Sequence, residues 1–133
     1  MSEFENSDEA QSPPSGVGVT PSGDRGMSVG DSLLLIYNIT TQVAWPVHDA
    51  WLAWMLDDYI PMVLGTGCFV KHQVVRLLET DETEGPVYAV QYYAESRQQY
   101  DYYRQFYEPQ FKQTTDKWGD KIFSFASLMQ VVN

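Results

Sequence analysis

From Leu33 onward the apolar residues recur with two spacings, near two and near 3.6 residues, and those spacings predict the elements. Leu33 to Val43 is a β-rich run in which Asn38 and Thr40 fall on the face opposite Tyr37 and Ile39, as in a strand. Pro46 opens a helix in the first turn, where a missing N–H costs nothing, and Asp49 complements the positive helix end. Val47, Ala50, Trp51, Trp54 and Met55 follow at helical spacing. Pro61 kinks or ends this helix, and Gly65-Thr66-Gly67 stops it. Phe69 to Leu78 predicts a second strand, the charged stretch Glu79 to Pro86 a hairpin loop, and Val87 to Ala94 a third strand. Ser96 begins a second helix, with Gln99 completing a capping box and Tyr100, Tyr103, Phe106 and Tyr107 as its buried stripe. Pro109 bends that helix, Trp118-Gly119-Asp120 is the exit loop, and Ile122 to Val132 predicts a fourth strand.

The order β-α-β-β-α-β is that of an α+β, ferredoxin-like fold with a four-stranded antiparallel sheet. Each half carries a Tyr two residues before a Pro, Tyr59/Pro61 and Tyr107/Pro109, a sign of internal pseudo-symmetry. Two helices cover one face of such a sheet and leave the other bare. Alternation assigns Ile36, Ala89, Ala126 and Leu128 to the bare face, too apolar a set for open water. A partner sheet is the simplest cover, so the expectation is a homodimer in which two sheets form a dimeric α/β barrel.

Residues 1–30 have a different character: Ser, Gly, Pro and acid dominate, with one aromatic, Phe4. Such a segment buries too little apolar surface to offset its ordering entropy and is expected to be a disordered tail ahead of a domain over 31–133. The net charge is −10, from 18 acidic and 8 basic residues, which disfavours a phosphate-backbone partner. High solubility, or a salt-loving host, fits that acidity. No apolar run approaches the ~20 residues that cross a bilayer, and the chain opens without a secretory pattern. Cys68 is the single cysteine, so an internal disulfide is ruled out. A cytoplasmic protein without membrane attachment is expected.

Several motifs occur in a fixed order: Leu35-Ile36-Tyr37-Asn38-Ile39-Thr40, then His48-Asp49 with Trp51, Trp54 and Met55, then Ile60-Pro61 and Val63. Thr66-Gly67 with Phe69, Tyr88 with Val90-Gln91-Tyr92, Lys117 through Lys121 and Met129 through Val132 follow. The string resembles a bacterial family of small proteins catalogued only as a domain of unknown function, over nearly all of 34–133. The resemblance implies a dimeric α/β-barrel fold and carries no activity. The wider fold group holds cofactor-free oxygenases, haem enzymes, lactone isomerases and plain binders, so membership alone selects no chemistry.

Candidate chemistry is sparse. The strand order is shared with RNA-recognition modules, but Glu84-Gly85-Pro86 stands where a basic-Gly opening of the third strand is needed, and the charge is wrong. Two histidines and one cysteine without ligand spacing give no metal site, and no cofactor motif is present. His48, in the first helical turn, and His72, on the second strand, are the candidate bases. Asn38, Gln91, Ser124 and Gln130 alternate onto the presumed barrel-facing side, and His72 and Arg76 share one face of the second strand and are expected to join them. Polar groups in a barrel interior pair with one another, with water or with a ligand. The leading reading is therefore a small homodimeric module that binds a ligand or a protein without catalysis. The alternative is a metal-free enzyme on a small organic molecule, with His48 or His72 as base, Arg76 as anion partner, and Asn38 and Gln91 as hydrogen-bond donors.

Overall fold

The computed structural model describes residues 34–133. The tail expected over residues 1–30 lies outside them, as do residues 31–33 of the expected domain.

Strand β1 (Leu35–Val43) leads through a 3-10 turn, Trp45–Val47, into helix α1 (His48–Trp54). A wide π turn, Met55–Tyr59, joins α1 to α2 (Ile60–Leu64), so that the chain stays helical through Pro61. Pro61 cannot donate a backbone hydrogen bond, and its ring needs room beside the carbonyl four residues earlier; the widened turn supplies it. Strand β2 (Lys71–Arg76) is shorter than the expected Phe69–Leu78, and β3 (Val87–Ala94) has the expected bounds. Ser96 Oγ accepts the Gln99 N–H at 3.1 Å and starts α3 (Arg97–Phe106). Tyr107, at φ −112°, breaks the helix before α4 (Glu108–Gln113), whose second residue is Pro109. A 3-10 segment, Asp116–Lys121, then leads to β4 (Ile122–Gln130).

The sheet is antiparallel with order β2-β3-β1-β4, the ferredoxin-like arrangement. Directly opposite residues share a face, so the registers sort the side chains. Leu35, Tyr37, Ile39, Thr41 and Val43 of β1 and Tyr88, Val90, Tyr92 and Ala94 of β3 point toward the helices. Trp51, Met55, Tyr59, Ile60 and Val63 pack on them from the first helical segment, and Tyr100 and Tyr103 from α3. Phe106 is exposed, contrary to expectation, because it falls about a quarter-turn off the Tyr100–Tyr103–Tyr107 stripe.

The faces of β4 differ from the expected ones. Ser124 lies opposite Thr41, Ala126 opposite Ile39, Leu128 opposite Tyr37 and Gln130 opposite Leu35, all on the helix side. Phe123, Phe125, Ser127 and Met129 take the bare face instead. Strand periodicity is two, so one residue of register exchanges the two faces completely. The bare face consequently carries a polar row, Gln73–Gln91–Asn38–Ser127, across all four strands. Lys71, Tyr93, Ile36 and Met129 flank that row on one side, and Val75, Ala89, Thr40 and Phe125 on the other.

Where β1 ends, Val43 N donates to Pro86 O at 3.0 Å, and the loop before β3 passes hard against the strand. A Cβ on Gly85 would sit 1.7 Å from the Val43 carbonyl oxygen, so only glycine fits there.

Candidate functional site

Helices α1 to α4 do not cover the sheet evenly. Tyr37 and Trp51 are buried in the centre, whereas Ser124, Ala126 and Leu128 on the helix side of β4 are exposed. Between the covered and uncovered parts lies a cavity of about 170 Å³. Its floor is Tyr37, Ile39 and Thr41 of β1, Val90 and Tyr92 of β3, and Ser124 and Ala126 of β4. Trp51, Trp54, Met55 and Tyr59 form one wall, and Glu108, Lys112 and Thr115 form the other.

One acid stands in this largely aromatic enclosure. Glu108 is buried, at 6% exposure. The break at Tyr107 turns α4 so that this residue faces the sheet, and three groups hold it. Tyr37 donates its phenolic hydrogen to Oε2. Arg104, one turn earlier, brings Nε to 2.5 Å from Oε1. The same guanidinium donates to Tyr100 Oη at 2.6 Å and lies 5.1 Å from the centre of the Tyr37 ring. Taking a carboxylate out of water is costly unless it is paired and hydrogen-bonded, and here both conditions hold.

The phenols around the acid are held in their neutral form. Burial first, then the hydrogen bond to Glu108, pushes Tyr37 well above the usual range. Burial likewise raises Tyr92 and Tyr103, and it raises Tyr59 to about 12 against the opposing pull of a hydrogen bond from Tyr103. A neutral phenol keeps its hydrogen to donate, as Tyr37 does to Glu108. Thr41 and Ser124 add a paired hydroxyl couple at 2.8 Å.

Two side chains of the cavity lining carry buried donors, set behind the cavity surface. Trp51 Nε1 and Tyr92 Oη are buried and have no hydrogen-bond partner among the described residues. Each belongs to a side chain only 1% exposed, so bulk water does not serve it. Buried polar atoms without partners are uncommon in native structures.

The residues singled out from sequence lie mostly elsewhere. Asn38 and Gln91 are together as expected, on the bare sheet face, with Gln91 Nε2 donating to Asn38 Oδ1 at 3.2 Å and Asn38 Nδ2 to Thr40 Oγ1 at 3.0 Å. His72 and Arg76 do not join them, because β2 register places them opposite Tyr92 and Tyr88 on the helix side. Both are exposed at the sheet edge, where Arg76 Nη2 donates to Glu82 Oε1 at 2.7 Å and partial burial holds His72 below its ordinary range. Gln130 is separated from Asn38 by the sheet itself, through the β4 register. His48 lies between Asp49 and Tyr88, with Nδ1 at 2.9 Å from the carboxylate and Nε2 at 2.7 Å from the phenol, outside the cavity lining. Among the described residues no group of three His, Cys, Asp or Glu side chains is placed to hold a metal ion, and no helix is long and apolar enough to cross a membrane.

Sequence reasoning missed Glu108, Tyr37 and Tyr92 as a site. The available signal was an acidic residue directly before Pro109, at the point where a Tyr-rich helix must break.

Residues 34–132 match a family described as "Domain of unknown function (DUF4286)". No curated protein matches the chain. Among solved structures it is similar to SnoaB, a cofactor-independent oxygenase from Streptomyces nogalater, at 15% identity and a TM-score of 0.55, covering 77% of this chain and 95% of that one. It is also similar to a monooxygenase from the gene ActVA-Orf6 of Streptomyces coelicolor in complex with the ligand Nanaomycin D, at 11% identity and a TM-score of 0.53, covering 77% and 90%. A third is an ethyl tert-butyl ether d (ethd) family protein from Bacillus halodurans, at 12% identity and a TM-score of 0.52, covering 74% and 98%. At such identities the likeness is one of fold.

Proposed function

The chain belongs to the DUF4286 family, a domain of unknown function, and from that premise we propose that it is a homodimeric module binding a small one-ring organic molecule between its sheet and its helices. The observation that carries this reading is a pair of donors without partners among the described residues, Trp51 Nε1 and Tyr92 Oη, on side chains that line one cavity. A buried donor left unpaired costs about 1–3 kcal/mol. A ligand carrying a carbonyl, ether or hydroxyl oxygen would pair such a donor once a small shift of the lining side chains uncovers it. Size narrows the class further. A cavity of about 150 Å³ holds one benzene ring, so about 170 Å³ suits one ring with a small substituent. The aromatic walls favour a flat or compact apolar body.

The bare sheet face supports the homodimer. Phe123 and Phe125 on it are 69% and 56% exposed, and Ile36, Met129 and Tyr93 extend the apolar area. A polar row crossing an apolar face is matched best by an identical row, which a two-fold pairing of the same chain brings opposite it. Two similar structures are named as oxygenases, one of them cofactor-independent, and for this chain an enzymatic role stays a second reading, resting on the buried Glu108 carboxylate at the cavity.

Native mass spectrometry of the freshly purified protein tests the binding reading, followed by thermal-shift titration with phenols, benzaldehydes and cyclic ketones. Binding of one-ring oxygen compounds that is weakened by Tyr92→Phe is the expected result. Equal response of wild type and Tyr92→Phe to every compound would contradict it.

A further inference from the structure

We propose that the molecule bound between sheet and helices is an organic acid, a one-ring carboxylate whose ring lies against the aromatic wall and whose charge pairs with Lys112. This rests on the cavity being a ligand site.

The two walls of the cavity differ in kind. Trp51, Trp54, Met55 and Tyr59 supply rings and a thioether on one side, whereas Glu108, Lys112 and Thr115 supply polar groups on the other. Lys112 and Ser124, the latter on the floor strand β4, are both exposed, so the polar side is the one that meets water. A ligand with an apolar body and one charged group fits this division with its charge toward the α4 side.

The sign of that charge follows from what each lining group already has. Glu108 and Lys112 are the charged side chains of the lining. Glu108 is compensated inside the protein, by the Arg104 guanidinium at 2.5 Å and by the hydrogen bond from Tyr37. Lys112 stands one turn further along α4, yet it forms no ion pair with Glu108 or with any other of the described residues. Lys117 adds a second ammonium behind the aromatic wall, 4.7 Å from the centre of the Trp54 ring and 5.3 Å from that of Trp118. The charge left over around the cavity is therefore positive, in a chain whose net charge is −10. A local field opposed to that of the whole molecule selects an anion at this one place. An amine would meet two ammonium groups there and a carboxylate already neutralised by Arg104. Lysine suits the task because its four-carbon stem lies along apolar surface while the ammonium keeps to the wet side.

Benzoate and benzamide share a ring and a shape and differ in charge, which makes them the probes of this class. The full chain is titrated with each, and with phenol as a second neutral ring, and dissociation constants are read from proton–nitrogen NMR spectra. Benzoate is expected to bind about tenfold more tightly than benzamide, the worth of one charged hydrogen bond. Lys112→Met keeps most of the stem and removes the charge, and it is expected to abolish this preference, whereas Lys112→Arg should restore most of it. Lys112→Gln is the second charge-removing variant and decides the matter if Lys112→Met does not fold. Benzoate bound no more tightly than benzamide, or a preference undiminished in a folded Lys112→Met or Lys112→Gln protein, overturns the proposal and leaves the cavity standing as a site for neutral rings. Failure of benzoate, benzamide and phenol all to bind overturns the site, and the proposal with it.

Discussion

The phenol of Tyr37 donates its hydrogen to the buried carboxylate of Glu108, 71 residues further along the chain. This bond ties the first strand of the sheet to the first residue of α4, and so fixes the far wall of the cavity to its floor. Tyr37→Phe keeps the ring packing against Phe69 and Tyr100 but deprives a buried carboxylate of its donor. Denaturant unfolding is expected to show a loss of about 1–3 kcal/mol. A loss within error of zero would mean that the bond contributes nothing to the fold.

Tyr92→Phe is expected to behave in the opposite way. Its hydroxyl has no partner among the described residues, so removing it removes a desolvation cost rather than a bond. Stability without ligand should be unchanged or higher by up to about 1 kcal/mol, while affinity for one-ring oxygen compounds falls. Chemical denaturation and thermal-shift titration on the same preparation separate the two effects.

Alkali should unfold the protein through its tyrosines. In the unfolded chain phenols ionise near 10, whereas in the folded chain burial holds Tyr59 at about 12 and Tyr37, Tyr92 and Tyr103 higher still. Above the unfolded value the unfolded state binds fewer protons, so stability falls as pH rises. The contribution of Tyr59 is complete below about pH 10 and is lost as pH climbs toward about 12. Thermal midpoints across that window should drop together with a cooperative rise in phenolate absorbance. Gradual phenolate absorbance with the fold intact would contradict the burial of these hydroxyls.

Replacing Gly85 by Ala tests the crossing of β1 and the loop before β3. The added methyl would stand 1.7 Å from a backbone oxygen, which no rotamer change relieves. A loss of about 3 kcal/mol or more is expected, and a variant as stable as wild type would refute the close approach.

The fold was legible because its signals are local and agree with one another. Val87 to Ala94 is a run of β-branched and aromatic residues bounded by turn signals, Ser96 caps its helix, and the prolines mark the widened turn and the helix break. The site was not legible, for two physical reasons. The face of an edge strand depends on its register, and one residue of offset in β4 sent Ser124 and Gln130 to the side opposite Asn38. The second reason is that Glu108 and its partners, Tyr37 and Arg104, meet only after α4 turns at Tyr107. Acidic residues in sequence read as solvated charge, and nothing local distinguishes the one that packs against a strand tyrosine. Asn38 and Gln91 were found together because neighbouring strands at the centre of a sheet leave little freedom of register.

The most direct test of the ligand cavity is the indole N–H resonance of Trp51, assigned by its disappearance in Trp51→Phe and followed by proton–nitrogen NMR during titration with cyclohexanone or phenol. A donor without a protein partner that gains an oxygen acceptor should move downfield saturably and exchange more slowly with solvent, and Tyr92→Phe should weaken that response. If the Trp51 signal stays fixed while either compound is raised to solubility, the cavity between sheet and helices is not a binding site for this class of molecule.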